Sequence, residues 1–223
     1  MPFSADARSA ILRRVREHRV PLLCLLATGA FAACTSGQPA QGDTSTPTLT
    51  TTYSPPSYST APPSTPPVTT GPNIRPGEKP PTFAQSMEKN VPSAAGTFAV
   101  YWMKTIDWGY ATVSSTLART AFSPVCADCT RFMRIFDDAH AKGVYFRGGR
   151  MTISKWMIRP NDHQNGATAV VDVTASIGAL QAIDRNGRVV ESDPADPHVM
   201  YRVWLTWSGT RWTIVDTKQA VRK

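Results

Sequence analysis

The sequence lacks the short motifs that would identify a chemistry by themselves. It has no Gly-x-Ser-x-Gly nucleophile elbow, no glycine-rich phosphate loop and no cluster of Cys, His, Asp and Glu at metal-ligand spacing. We therefore expect neither a metal nor another cofactor, and we do not expect catalysis.

Basic residues outnumber acidic ones, but they are not clustered. The chain has 24 Lys and Arg against 16 Asp and Glu, a formal net charge of +8. Five of the Arg and two of the acids fall in residues 1–33, which leaves 19 basic and 14 acidic residues from Cys34 onward. A nucleic-acid-binding domain normally concentrates its positive charge in a patch or stripe. The scattered charge therefore argues against a nucleic-acid partner.

The apolar run near the N-terminus is too short for a membrane-spanning helix. Residues 20–33 are 14 residues without charge and with a Leu-rich centre, whereas a spanning helix needs about 20. Four Arg between positions 13 and 19 precede the run, and small residues end it. This combination indicates a secretory signal. We assign residues 1–33 to a lipoprotein signal peptide.

The end of this signal offers two processing sites. Ala30-Phe31-Ala32 satisfies the small-x-small rule of ordinary signal cleavage. Residues 31–34, Phe-Ala-Ala-Cys, resemble a lipobox in which Phe31 replaces the usual Leu. We favour lipidation of Cys34, because a flexible Thr-Ser-Gly-Gln-Pro stretch follows it. The prediction is a lipid-anchored protein on the extracytoplasmic face of the cell membrane; the alternative is a secreted protein.

Residues 34–81 have the composition of a disordered tether. Positions 35–81 contain 12 Pro and 17 Ser or Thr, and very few aliphatic residues larger than Ala. Such a segment cannot bury enough apolar surface to fold on its own. We therefore expect a Pro/Ser/Thr-rich spacer between the membrane and a folded domain.

Residues 82–223 predict one folded domain, whose first half is helical. A first helix is predicted behind Pro92, where apolar residues recur at three- and four-residue spacing. A short second helix is predicted over residues 112–119. The third is the best marked, because Ser123 supplies a cap and Gly143 a stop signal.

The second half of the domain alternates apolar and polar residues with the period of a β-strand. Gly148-Gly149 and Asn186-Gly187 mark turns, and Gly178 marks a bulge. Strands are predicted at residues 144–147, 151–159, 167–183, 199–207 and 212–217. Helices followed by antiparallel strands indicate an α+β domain, with three N-terminal helices packed on one face of a curved antiparallel sheet.

Three motifs stand in a fixed order behind the lipobox-like site and the tether. They are Phe98-x-x-Tyr101-Trp102, Cys126-x-x-Cys129 and Gly148-Gly149. In this order they resemble an uncharacterised family of actinobacterial lipoproteins, and the helix and strand order resembles the nuclear-transport-factor-2-like cone fold. The resemblance covers most of the chain from residue 20 onward. It implies a fold and a cell-envelope address, but no activity.

The four cysteines divide into two groups. Cys24 lies in the predicted leader and Cys34 is the predicted lipid acceptor, which leaves Cys126 and Cys129 in the domain. In an oxidising compartment this pair predicts a small-loop disulfide at the start of the third helix. A thiol–disulfide redox pair is the alternative, because a helix N-terminus lowers the pKa of a thiol. Zinc would need two further ligands at a suitable spacing.

A cone fold often holds a small ligand between its helices and its sheet. Candidate lining residues are Tyr101, Asp107, Trp108, His140, Asp172, Arg202 and Trp204. Each has an ordinary alternative, as a core aromatic or as a charge on a solvated sheet face. Asp107 and His140 would be the acid–base pair of an isomerase- or dehydratase-like enzyme. We interpret the domain as a binding or interaction module at the cell envelope, for a cell-wall component or an envelope protein, with the enzyme and the redox protein as alternatives.

Overall fold

The computed structural model describes residues 66–160 and 164–220. The predicted signal peptide, Cys34 and most of the predicted tether lie outside these residues. Within them the chain forms two α-helices followed by seven strands. The helices are α1 (Pro92–Thr112) and α2 (Ala127–Lys142), and the strands are β1 (Tyr145–Gly148), β2 (Met151–Arg159), β3 (Ala169–Ile177), β4 (Leu180–Ile183), β5 (Val189–Asp193), β6 (Asp196–Trp207) and β7 (Trp212–Ala220).

The strands form two antiparallel sheets. One has four strands in the order β2-β3-β6-β7, and the other has three in the order β1-β4-β5. The register of the larger sheet pairs Val171 with Val203, and Asp172 with Arg202. The outer strand β7 also bonds to the segment before α2, since the Ser123 N–H donates to the Ile214 carbonyl at 2.7 Å.

The chain passes between the two sheets twice at one corner, from β1 to β2 and again from β3 to β4. Gly148 ends β1 and Gly149 follows it, both with positive φ, before β2 begins at Met151. Gly178 and Ala179 separate β3 from β4. The Gly149 N–H donates to the Ala179 carbonyl at 2.8 Å, and the Gly178 N–H to the Arg150 carbonyl at 3.0 Å. A Cβ on Gly148 would lie 2.1 Å from the Ala179 oxygen, so the corner requires glycine there.

The core lies between the two helices and one face of the four-stranded sheet. Alternate residues of β3 and β6 supply the sheet side, namely Val171, Val173, Ala175, Val199, Tyr201, Val203 and Leu205. From α1, Trp102, Met103 and Ile106 are buried against them. Burying a side chain of this size contributes roughly 1.5–3 kcal/mol. Large side chains therefore occupy the space in which a cone fold would hold a ligand.

The predicted fold class, three helices on one curved sheet as in the nuclear-transport-factor-2-like cone, is wrong. The described residues contain two α-helices and two sheets. The predicted second helix does not form, because Val113 adopts a left-handed conformation (φ 55°) that ends α1. The Ser114 hydroxyl then bonds within its own turn, and only the 3₁₀ turn Ala118–Thr120 follows. The helices α1 and α2 occupy the positions of the first and third predicted helices.

An N-terminal strap, residues 66–81, packs on the domain although its composition resembles a tether. Trp108 Nε1 donates to the Val68 carbonyl at 2.9 Å, and the Asn73 N–H donates to the Ala111 carbonyl at 3.2 Å. The side-chain amide of Asn73 also makes two hydrogen bonds with the backbone of Gly148: its Nδ2 donates to the carbonyl, and its Oδ1 accepts from the N–H. The folded part therefore begins upstream of residue 82, the predicted boundary.

Among the described residues, no helix is both long enough and apolar enough to cross a membrane.

Candidate functional site

The seven predicted pocket residues do not come together around one cavity. Tyr101, Asp107 and Trp108 lie on α1, and His140 is exposed in the last turn of α2. The other three lie on β3 and β6, at positions that alternate with the core residues. Asp172, Arg202 and Trp204 therefore face the opposite side of the sheet from the helices.

Tyr101 and Trp108 act as structural aromatics. The ring centroid of Tyr101 lies 5.7 Å from that of Phe83 and 6.0 Å from that of Phe98. Burial raises the pKa of Tyr101, and a hydrogen bond with Thr120 opposes this only in part. The phenol is consequently neutral at physiological pH. Trp108 is buried, and its N–H is the donor that holds the strap at Val68.

Asp107 belongs to a partly buried ion-pair cluster, centred on Arg150, that the sequence did not reveal. Its carboxylate accepts hydrogen bonds from Arg150 Nε at 3.1 Å, from Arg150 Nη2 at 2.7 Å and from the Met151 N–H at 2.7 Å. The partners lie 43 and 44 residues away in the chain. The carboxylate is therefore held at the start of β2.

Arg150 has all five of its N–H donors engaged. Besides Asp107, it binds both carboxylate oxygens of Glu78 and donates to the Asn73 carbonyl at 3.0 Å. Burial by itself would lower the pKa of Arg150, but the hydrogen bonds to Glu78 and Asp107 outweigh burial and raise it above its ordinary value. The arginine is 8% exposed. It locks α1, the sheet corner and the N-terminal strap together.

The predicted acid–base pair is not assembled. No hydrogen bond or ion pair joins Asp107 to His140 in the part of the chain that the structure describes. Asp107 is committed to Arg150, while His140 lies near the C-terminal end of α2. A general base must reach the proton that it abstracts, so this pair as placed cannot perform the predicted chemistry.

Asp172 and Arg202 form a cluster on the outer face of the larger sheet. Arg202 binds both carboxylate oxygens of Asp172, at 2.8 and 3.1 Å. Arg159 Nε lies 3.4 Å from Oδ2 of the same carboxylate. Beside them Trp204 packs with Ala167, Val170 and Val215 in a small second core. Lys218 Nζ lies 5.4 Å from the centre of the Trp204 ring. These contacts account for the burial of Asp172 and Trp204.

Cys126 and Cys129 are joined by a disulfide at the first turn of α2. Both residues are fully buried, and Cys126 Sγ accepts a hydrogen bond from the Cys129 N–H at 3.2 Å. A redox pair must be reached by its substrate, and neither sulfur is accessible in this structure. The described residues contain no group of three or more His, Cys, Asp or Glu side chains that could hold a metal ion.

An open groove of about 260 Å³ lies between α1 and β2, away from all seven predicted residues. Its helix wall consists of Thr97, Val100 and Lys104, and its strand wall of Ile153, Ser154, Lys155 and Trp156. The lining therefore contains two cations, one indole and two hydroxyls. Sequence reasoning missed the groove because Trp156 and Lys155 occur in an unremarkable alternating strand.

Trp156 is seated against the backbone of α1. A Cβ on Gly96 would lie 2.3 Å from Cζ3 of Trp156, so the indole approaches the helix where a side chain is missing. Trp156 is still 40% exposed, and the next residue, Met157, is 49% exposed. A register shift between Ile153 and Lys155 places a bulge at Ser154. The groove thus presents an indole at an exposed, bulged strand.

A family model matches residues 78–218, which is more than half of the chain. The chain belongs to the DUF6318 family. This is a family of unknown function, and the match includes both helices, all strands except the end of β7, and the groove. No curated protein matches the chain.

Three solved structures show limited similarity to the chain. The intermembrane space region of the chloroplast protein ARC6 has 13% identity and a TM-score of 0.43, over 60% of this chain and 99% of that one. Aln2 from a Streptomyces species has 11% identity and a TM-score of 0.32, over 56% and 85%. The yeast UBP3-associated protein BRE5 has 10% identity and a TM-score of 0.29, over 60% and 100%. At TM-scores below 0.5, these similarities carry no argument about fold or function.

Proposed function

We propose that this DUF6318 protein is a lipid-anchored lipoprotein on the extracytoplasmic face of the cell membrane, and that its domain is a binding module of the cell envelope. The anchor rests on the basic leader, the short apolar run and the lipobox-like residues before Cys34. The motif order and its resemblance to actinobacterial lipoproteins support the same address.

The binding role rests on the groove between α1 and β2. The polar groups that were candidates for chemistry, Asp107, Asp172 and Arg202, are held in ion pairs within the domain. The groove instead leaves Lys104, Lys155 and the Trp156 indole in an open concavity. Few polar groups and an aromatic wall are typical of ligand-binding surfaces. The partner is a cell-wall component or an envelope protein, and no nucleic acid is involved.

The segment between the lipid and the strap acts as a spacer. Residues 35–65 are rich in Pro, Ser and Thr. In an extended polyproline conformation, 31 residues at about 3.1 Å each would reach roughly 100 Å. A spacer of this reach fits a domain whose partners are associated with the cell wall.

The anchor is tested by replacing the predicted lipid acceptor. The Cys34→Ala variant should be released from detergent-extractable membranes or accumulate as an unprocessed precursor. Cys24→Ala is the matched control, and it should stay anchored because Cys24 lies within the leader. Wild-type protein found wholly in the medium, with Ala33 at its N-terminus, would overturn the anchor.

The binding role is tested by photo-crosslinking in intact cells. A photo-reactive amino acid at position 97, inside the groove, should give a discrete covalent adduct. The same amino acid at position 140, which is exposed on α2, should not give it. Equal adducts at both positions, or none at either, would count against a binding groove.

A further inference from the structure

We propose that the groove binds an acidic peptide in an extended conformation, which adds as a strand to the outer edge of β2. This inference rests on the proposed binding function and specifies its ligand. It is carried by the free strand edge, the dimensions of the groove and the charge of its lining.

The outer edge of β2 is available for pairing. In the strand order β2-β3-β6-β7, β2 pairs on one side only, with β3. At the start of the strand the Met151 N–H donates to Asp107, so α1 closes that end. Beyond Met151, no hydrogen bond reaches this edge among the residues that the structure describes. Free N–H and C=O groups in a row are the template that strand addition uses.

The groove has the dimensions of a strand segment. Its helix wall is one face of α1, where Thr97, Val100 and Lys104 recur at three- and four-residue spacing. Seven residues of helix rise about 10 Å, which equals the length of about three residues in a strand. An added strand would therefore place one or two side chains between Val100 and the exposed ring of Trp156, which contributes apolar contact on that side.

The charge of the lining selects an acidic ligand. Lys104 approaches from the helix. Lys155 also lines the groove, but it pairs with Thr174, so its side chain points to the sheet face opposite α1. No carboxylate lines the groove. Asp107, one turn after Lys104, has its charge balanced by Arg150. The two lysines therefore lie on opposite sides of the β2 edge, and neither has a described anionic partner. An extended peptide with Glu or Asp at two consecutive positions would supply both counter-charges, because consecutive side chains of a strand point to opposite faces.

A bulge and a lysine also occur on edges that are protected from pairing. The bulge at Ser154 and the ammonium of Lys155 fit that role as well. The two interpretations differ over Trp156, since protection alone gives no reason for an exposed indole beside the edge. They also differ in outcome, because a protected edge binds no peptide.

The test uses the purified full chain in detergent and capped seven-residue peptides of known sequence. The probe is acetyl-Ser-Val-Glu-Glu-Val-Val-Ser-amide, in which the two Glu side chains point to opposite faces of the strand. Two matched peptides carry Gln or Lys in place of Glu. Two further versions of the Glu peptide are N-methylated at alternate backbone amides, one at the odd-numbered positions and the other at the even-numbered positions. Binding is measured by Trp fluorescence and by amide shifts in ¹⁵N spectra.

The Glu peptide should bind, with shifts concentrated in β2 and in residues 97–104. The Gln peptide should bind about tenfold more weakly, and the Lys peptide should not bind. One of the two N-methylated peptides should lose binding, because only one set of amides faces β2. Lys104→Gln and Lys155→Gln should each weaken binding about two- to fivefold, as expected for an exposed ion pair. Lys142→Gln, an exposed change on α2, is the control and should have no effect.

Absence of binding by the Glu peptide would overturn the proposal, and so would equal binding of the three charge variants. Binding that tolerates both N-methylated peptides would also overturn it, since the backbone would then not be paired. A groove adduct at position 97 without peptide binding would retain the binding module and reject the acidic peptide. The two failures are therefore distinguishable.

Discussion

Arg150 and Glu78 lie 72 residues apart in the sequence, and their side chains form a two-point ion pair that fastens the N-terminal strap to the sheet corner. Glu78 is positioned for this by its own turn, in which the Arg75 N–H donates to its carboxylate at 2.9 Å. The strap is the part of the domain nearest in sequence to the predicted lipid anchor. The ion pair therefore holds the C-terminal half of the strap against the sheet corner.

Replacing Arg150 should destabilise the domain strongly. In Arg150→Met, the Asp107 carboxylate and part of Glu78 lose their buried counter-charge, which typically costs about 3–5 kcal/mol. Arg150→Lys should recover only part of this, because an ammonium cannot bind both carboxylates at two points each. Urea unfolding of the full chain measures the change.

Arg131→Gln is the control for Arg150. Arg131 pairs with Asp128 on the surface of α2, where its side chain is mostly exposed. Its loss should cost under about 1 kcal/mol. Equal costs at the two arginines would contradict the view that the buried cluster holds the strap.

The ion pair also predicts a pH dependence. The hydrogen bonds from Arg150 lower the pKa of Glu78 below its ordinary value of about 4.5, although burial opposes them. Glu78 therefore contributes stability that is present above about pH 4.5 and is lost as the pH falls through its lowered pKa. Stability measured from pH 6 to pH 3 should fall less steeply in Glu78→Gln than in wild type. Parallel curves for the two proteins would show that the carboxylate contributes nothing.

Local patterns in the sequence were sufficient for the two α-helices and the main strands. Pro92 and Gly143 mark helix limits by backbone chemistry that does not depend on distant residues. The alternation of apolar and polar residues around Val171 and Val203 predicts strands with one buried face. The predicted helix over residues 112–119 failed because a left-handed Val113, which no propensity would suggest, interrupts it.

The features that involve distant partners could not be predicted in this way. The Gly148-Gly149 pair was predicted as a turn between two strands of one sheet, but it is a corner at which the chain passes into another sheet. The strap has the composition of a tether, and its contacts are with residues distant in the sequence, including Trp108, Gly148 and Arg150. The groove likewise arises because Gly96 lets Trp156 approach, a contact between residues 60 positions apart.

The disulfide should be a structural link. Cys126 and Cys129 are buried and joined, so alkylation of the folded protein without reduction should leave them unmodified. The loop that they close is very short, and the chain-entropy model gives about 2 kcal/mol for it. The Cys126→Ala, Cys129→Ala double variant should lose about that much stability in urea, while still folding. Rapid turnover of an external dithiol substrate by wild type would contradict this assignment.

Two glycines of α1 should differ in their response to the same substitution by alanine. At Gly109, a Cβ would lie 2.5 Å from Cε2 of Phe136, a fully buried ring that packs edge-on against Tyr110 and Phe146. The ring cannot move without disturbing that cluster. Gly109→Ala should therefore destabilise the domain by about 1–3 kcal/mol, in spite of the better helix propensity of alanine.

At Gly96 the obstructing atoms belong to Trp156, whose ring is at the surface and can swing outward. The roughly 1 kcal/mol gained from helix propensity should offset the lost contact, so Gly96→Ala should change stability little. It should nevertheless shift the Trp156 emission and weaken binding of the acidic peptide, because the indole leaves its seat beside the β2 edge. The emission is assigned by subtracting the spectrum of Trp156→Phe. If Gly96→Ala is as destabilising as Gly109→Ala, or leaves the Trp156 emission unchanged, the indole does not rest on the helix as described.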